Sequence, residues 1–386
     1  MGEGVVRGDR SVRVPVLRLA AAVVLLGGLA CRGDAPVLAD CAPRSGLTPI
    51  CRFQAPEDLA VVGGWIVVSQ MPNAKGPGSL VAFHPETRSI RKLYPSPRTA
   101  RTARAGGPPQ GVDATDVETA AALAAAAAAP DGGCSAGAPP PFEDFAPHGI
   151  DVEGTRLLVV NHGRREAIEE FALSAAGGAP ALDWKSCTPL PADASANDVV
   201  ALADGGFAAT KMVERPQWLG ILKLVLGLKT GALLRHGPGG EGWETVPNSA
   251  GQAPNGVEVD AAGRFFVAEW TGRRIVRLAP DGSGRESVGL DFSPDNLAWA
   301  SDGRLLVAGQ RASVFDVPAC AALEEGTCAL PSVVVAVDPA TLEVFPLIDQ
   351  DPPTALGAAS IAVEQGGSLW IGAFVGDRIV RWDGIP

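Results

Sequence analysis

Basic charge, aromatic rings and long apolar runs are all scarce in this chain of 386 residues. Lys and Arg number 32 against 43 Asp and Glu, a formal net charge of −11. That balance excludes a general nucleic-acid binder, which needs a basic face to neutralise phosphates. Charged residues make up 19% and hydrophobic ones 46%, too apolar a mixture for a disordered chain. The N-terminal apolar run Leu19–Ala30 is twelve residues, short of the roughly twenty that a membrane span needs. A Gly-x-x-x-x-Gly-Lys-Ser/Thr phosphate loop and His-Glu-x-x-His are both missing, which argues against P-loop and zinc-protease chemistry. Cys-x-x-Cys is missing too, so structural zinc is not expected. Gly 47 and Pro 33, by contrast, are abundant, as many tight turns between short strands require.

Residues 1–31 read as an export signal. Arg7, Arg10, Arg13 and Arg18 precede the run Leu19–Ala30, which ends in Leu29-Ala30-Cys31. Cys31 stands where a bacterial lipoprotein carries its lipid; cleavage near Ala30 and a retained anchor are the alternatives. Removing the segment, which holds four Arg against Glu3 and Asp9, takes the net charge from −11 to about −13. The other six cysteines are an even set, and three disulfides are expected in an exported chain. Cys41–Cys51 and Cys320–Cys328 are the simplest local pairs. The expected location is periplasmic, outer-membrane lipoprotein or extracellular. Residues 32–50 read as a linker and 51–386 as the folded domain, interrupted by a low-complexity insertion at 103–141. Within it, Thr115-x-x-Glu118 resembles a capping box ahead of an alanine-rich helix.

One hairpin pattern recurs six times: a polar residue, apolar residues two and four positions on, a Gly/Asp turn, and a second apolar strand. The polar positions are Glu57, His148, Asn197, Asn255, Asp295 and, exceptionally, Ala359. Their spacing runs from 40 residues (Asn255 to Asp295) to 91 (Glu57 to His148). Alternation around a short turn marks a β-hairpin. Six such units predict an all-β fold, a six-bladed β-propeller with short helical insertions; a β-sandwich with irregular repeats is the alternative. Pro216–Leu228 breaks the pattern with Trp218, Leu219, Ile221, Leu222, Leu224, Val225 and Leu226. It would cover the propeller mouth, lie on a lipid surface, or be a helix buried against the blades.

A propeller gathers equivalent inner-strand positions at one end of its channel. Glu57 and Asp295 then supply two negative charges, and Asn197, Asn255 and Asn296 neutral carbonyl oxygens, a donor set suited to a hard cation such as calcium. Without a metal, carboxylates so placed would repel and take up protons. Asp58 and Asp198 lie one residue further along. Strict alternation turns them away, toward a second and deeper cation; Asn296 obeys this parity only if its strand is irregular. His148 opens one inner strand and His162 closes the returning one, so an antiparallel hairpin brings both to the same end. Two imidazoles there suit proton transfer from water, one as base and one as relay. His84 and His236 have no such context.

At these residues the chain resembles the paraoxonase (serum arylesterase/lactonase) family. Pro56-Glu57-Asp58-Leu59, Pro147-His148-Gly149-Ile150, Leu157-Leu158-Val159-Val160-Asn161-His162, Asn197-Asp198-Val199-Val200, Asn255-Gly256 and Asp295-Asn296 occur in the family's order. The likeness spans roughly Cys51 to Phe374. It implies two calcium ions, a catalytic one held by Glu57, Asn197, Asn255, Asp295 and Asn296, and a structural one held by Asp58, Asp198 and the Ile150 carbonyl. His148 and His162 would be the family's catalytic histidine dyad. Three departures stand out. No cysteine follows Cys328 to link the chain ends, Gly309-Gln310-Arg311 lacks an expected histidine, and Lys211-Met212 is less polar than usual.

The function implied is calcium-dependent hydrolysis of lactones and aryl esters, with a small-molecule lactone or ester as substrate. Lipid contact would come through Cys31 or the 216–228 segment. The rivals are a sugar lactonase of the gluconolactonase or regucalcin type and a non-enzymatic binding propeller at the cell surface.

Overall fold

The computed structural model describes residues 37–95, 134, 137–175, 178–240, 242–320 and 323–384. The export segment, Cys31 and most of the insertion, including its expected helix, lie outside these. Six four-stranded antiparallel sheets follow one another along the chain. Their innermost strands are Pro56–Val62, Pro147–Glu153, Ala194–Ala201, Pro254–Val259, Ser293–Trp299 and Ala359–Gln365. Each packs beside the inner strands of the blades before and after it, and Ala359–Gln365 against Pro56–Val62 completes the circle. This is the six-bladed β-propeller expected, with one α-helix and two 3-10 turns among the described residues.

The blades stay together because both faces of each sheet are apolar. In the strand Arg156–Asn161, Leu157 and Val159 pack toward the first blade, with Leu80, Tyr94 and Phe171. Leu158 and Val160 face the third, with Val199, Phe207 and Leu234. Alternation thus sends successive side chains into two different cores, and six such cores fill the six spaces between blades. That is why these strands read as unbroken runs such as Leu157-Leu158-Val159-Val160 rather than as apolar–polar alternation.

Closure uses both ends of the domain. The last blade draws its outermost strand, Leu47–Cys51, from the N-terminal side, pairing antiparallel to Arg378–Trp382 with Ile50 opposite Ile379. Strand structure therefore begins inside the stretch 32–50. Ile50, Phe53, Phe83, Trp370 and Ile379 share the core between blades six and one. Cys41–Cys51 ties this strand to the chain before it. Cys320–Cys328 forms the second expected pair, and Cys134–Cys187 the third. Three disulfides belong to an oxidising compartment.

The apolar segment forms the helix Gln217–Val225 beside the strand Phe207–Glu214, where Gly220 is buried. The reading of this helix as buried does not hold. Trp218, Ile221, Leu222, Val225, Leu226 and Leu228 are exposed, Trp218 by 64%. No helix among the described residues is long and apolar enough to cross a membrane.

Candidate metal centre and histidine relay

All six inner strands break their pairing at the repeat position. Register skips between Pro56 and Asp58, Pro147 and Ile150, Ala196 and Val199, Pro254 and Val257, Pro294 and Leu297, and Ala359 and Ile361. A bulge releases its residues from the ladder and re-aims their side chains. Strict alternation is therefore suspended where the parity argument relied on it, and Asn296 joins Glu57 although it sits one position later. The Asn296 amide donates to Glu57 Oε1 at 2.7 Å.

A second alternation runs around the ring. The residue after the repeat position is Asp58, Asp198 or Asn296 in blades one, three and five, and Gly149, Gly256 or Ser360 in the others. Blades two and four need glycine there. A Cβ on Gly149 would lie 2.6 Å from the Asp198 Cα, and one on Gly256 2.6 Å from the Asn296 Cα. Ser360 donates its hydroxyl to the Glu57 carbonyl. Small residues on alternate blades make room for polar ones on their neighbours.

Glu57, Asn197, Asn255, Asp295 and Asn296 are all buried. Gln310 donates to Asp295 Oδ2 and to the Ala359 carbonyl, and accepts from Trp270 Nε1 at 3.0 Å. The residue standing in place of the expected histidine therefore steadies the Asp295 carboxylate. The Asn197 amide nitrogen meets Met212 Sδ at 3.6 Å, and Lys211 pairs with Asp193. Burial, then the charges of Asp58 and Asp295, push the Glu57 carboxyl well above the usual range. Burial raises Asp295 to about 7 against the opposing bonds from Gln310 and Asn255.

Four buried oxygens of this group have no hydrogen-bond partner: Glu57 Oε2, Asn197 Oδ1, Asn255 Oδ1 and Asn296 Oδ1. Leaving a buried polar atom unsatisfied costs on the order of 1–3 kcal/mol, so four on equivalent strands call for a shared electropositive partner. Among the described residues no three His, Cys, Asp or Glu side chains gather as a metal cage. The donors here are instead two carboxylates and three amide oxygens. Oxygen-only donors with two negative charges fit a hard dication.

Asp58 and Asp198 are buried differently. Asp58 accepts from the N–H of Leu59 (2.8 Å) and of Ile150 in the next blade (2.6 Å). Asp198 accepts from the N–H of Val199 and of Val257, also in the next blade, both at 2.8 Å. The two carboxylates pin neighbouring blades. Burial raises Asp58 to about 7, and burial followed by the Asp58 charge pushes Asp198 well up. Both also line a cavity of about 680 Å³ in the channel, with Asp151, Glu258 and Trp299.

His148 and His162 meet as the hairpin predicts. His148 Nδ1 lies 3.0 Å from His162 Nε2, and His148 Nε2 lies 3.5 Å from Glu57 Oε1. Burial, then the His162 charge, depress His148 to about 3, so its ring is neutral near pH 7. Sequence reasoning missed Glu166, whose Oε2 lies 2.8 Å from His162 Nδ1, and Arg215, which pairs with the other Glu166 oxygen. The turn carrying His162 and Glu166 is braced by its neighbours. Asn161 Oδ1 accepts from the N–H of Ala146 and Gly163, and buried Glu169 binds Asn161, Arg165 and Trp184. Only the position of Glu166, four residues after His162, hints at the contact.

No family model matches the chain. An L-arabinolactonase of Azospirillum brasilense is 38% identical over 64 residues, 16% of this chain and 21% of that protein. The match thus spans about a fifth of that relative's length. Among solved structures, a gluconolactonase of Xanthomonas campestris, XC5397, shares the fold at a TM-score of 0.50 and 17% identity, covering 91% of this chain and 98% of that one. A luciferin-regenerating enzyme also reaches 0.50, at 11% identity and 87% and 95% coverage. Such identities establish a common propeller architecture.

Proposed function

We propose that the protein is a divalent-cation-dependent lactonase, with sugar lactones as its leading substrate class. The four orphaned oxygens on equivalent strands, three at the repeat position and that of Asn296 one residue later, carry this reading, and the gluconolactonase and arabinolactonase similarities support the substrate class. Glu57, Asn197, Asn255, Asp295 and Asn296 would hold the cation, calcium by its preference for oxygen donors. When bound, it supplies Lewis-acid polarisation of the ester carbonyl and charge to stabilise the oxyanion. His148 accepts a proton from water, and the resulting hydroxide attacks the carbonyl carbon. The ring C–O bond breaks, and the proton held by His148 goes to the departing alkoxide. Asp58, Asp198 and the Ile150 carbonyl are the ligands proposed for a second, structural ion.

The histidine pair favours a second reading, the paraoxonase-like hydrolysis of lipophilic lactones and aryl esters. A substrate panel separates the two: glucono- and arabinolactone against long-chain lactones and phenyl acetate, each assayed with calcium and with excess chelator. Turnover of sugar lactones alone supports the first reading, and turnover of the lipophilic set alone supports the second. Full activity in chelator on any substrate would sink the metal-dependent mechanism.

We also propose that the exposed apolar helix Gln217–Val225 rests on a lipid surface, because isolated soluble proteins seldom expose so many large apolar side chains together. Wild-type protein is expected to co-sediment with phosphatidylcholine–phosphatidylglycerol vesicles, and Trp218→Asp/Leu222→Asp to stay in the supernatant. Equal sedimentation of the two would refute it.

A further inference from the structure

We propose that Glu166 is a positioning residue that fixes the proton on Nδ1 of His162 and so turns the bare Nε2 of His148 toward the metal ligands. The argument follows the donors along one line. A carboxylate accepts hydrogen bonds and donates none, so at 2.8 Å from Glu166 Oε2 the Nδ1 of His162 must carry hydrogen. In a neutral imidazole the other nitrogen is then a lone-pair acceptor. With His162 neutral, its Nε2 accepts, and its partner at 3.0 Å, Nδ1 of His148, donates. That leaves Nε2 of His148 unprotonated, and this atom faces Glu57 across 3.5 Å.

Arg215 gives the device its direction. It holds Glu166 Oε1, leaving Oε2 for His162. The backbone N–H of His162 donates to the Ala146 carbonyl at 2.9 Å, and a Cβ on Gly163 would overlap the Asp144 carbonyl, so the turn cannot easily swing away. In the lactonase reading, on which the rate part of this inference rests, the water proton arrives at His148 Nε2. The Nδ1 proton of His148 can then shift to His162 Nε2, placing the positive charge beside the Glu166 carboxylate. The proton returns by the same route to the leaving alkoxide, so no net charge is transferred.

Glu166→Gln tests this on the full chain. With Arg215 retaining the amide oxygen, the side chain presents its NH2 to His162 Nδ1 and reverses both tautomers. Long-range ¹H–¹⁵N spectra of histidine-labelled protein, assigned with His148→Gln and His162→Gln, read this without any substrate. Wild type is expected to show both rings protonated at Nδ1, and E166Q both protonated at Nε2. In E166Q, kcat should fall by at least about 10²-fold with KM within about threefold, the pattern of a misplaced proton beside an intact pocket. Glu166→Gln/Arg215→Ala frees the amide to rotate, and should restore the Nδ1 tautomer and part of kcat. Nδ1-protonated rings in E166Q, or Nε2-protonated rings in wild type, would overturn the proposal. Should the wild type hydrolyse no lactone, the proposed function fails, while the spectra still decide the role of Glu166.

Discussion

Asp295→Ala and Asn255→Ala are each expected to lower calcium-dependent lactone kcat/KM by about 10³-fold or more, with the fold retained. Each deletes one oxygen from a buried cluster whose other members lie on neighbouring blades, so nothing nearby can replace it. In the proposed site the cation is the oxyanion's partner; losing one preorganised oxyanion partner costs about 10²–10³ in rate, and reduced cation affinity adds to that loss. Asp295→Asn separates ligation from folding. It keeps the shape but removes a carboxyl that burial raises to about 7, so in chelator above pH 7 this variant should melt higher than wild type while remaining inactive with calcium. Activity near wild type in Asn255→Ala, measured with metal content by elemental analysis, would contradict the site.

The metal-free protein should lose stability as pH rises from about 4 to 7. Asp58 and Asp295 have folded-state values of about 7, raised mainly by burial, against an ordinary value of 3.8. Below pH 4 both folded and unfolded chains hold these protons. Between the two values the unfolded chain releases them first, so stability falls with increasing pH, and the contribution of these two groups is fully lost above 7. At 1.36 kcal/mol per pH unit each group accounts for about 4 kcal/mol. At roughly 2 °C per kcal/mol, the combined fall in Tm is roughly 16 °C. In the proposed site a cation would replace the protons as counter-charge. Calcium at about a thousand times its Kd contributes about 4 kcal/mol, so it should raise Tm by roughly 8 °C at pH 8 and far less at pH 5. Scanning calorimetry across this range, with and without chelator, checks both parts. A calcium increment independent of pH would show that the carboxylates are not its partners.

The ring of blades was legible because each hairpin announces itself twice, in the polar residue at its start and in the apolar strands after it. Glu57, Asn197, Asn255 and Asp295 could be named from that repetition alone. Asn296 could not be placed by alternation, because the bulges that bring it to Glu57 lie in pairing register, which depends on partner strands. Leu47–Cys51 passed for the end of a linker because its partner, Arg378–Trp382, is almost the whole chain away. The helix Gln217–Val225 was ambiguous because an apolar run suits a buried and an exposed helix equally. Glu166 was hidden because a turn folds it back on His162, and turn geometry leaves little trace in residue type.

The N-terminal strand that completes the sixth blade has a consequence for biosynthesis. Residues 47–51 emerge early yet have no ladder to join until Arg378–Trp382 has been made, so the circle can be sealed only by an entire polypeptide. A prematurely terminated product lacking its final strands would leave blade one without its neighbour, and with it the wall behind Glu57. Assembly of the candidate ion pocket would thereby serve as a test of completeness, one that a nascent or clipped chain fails.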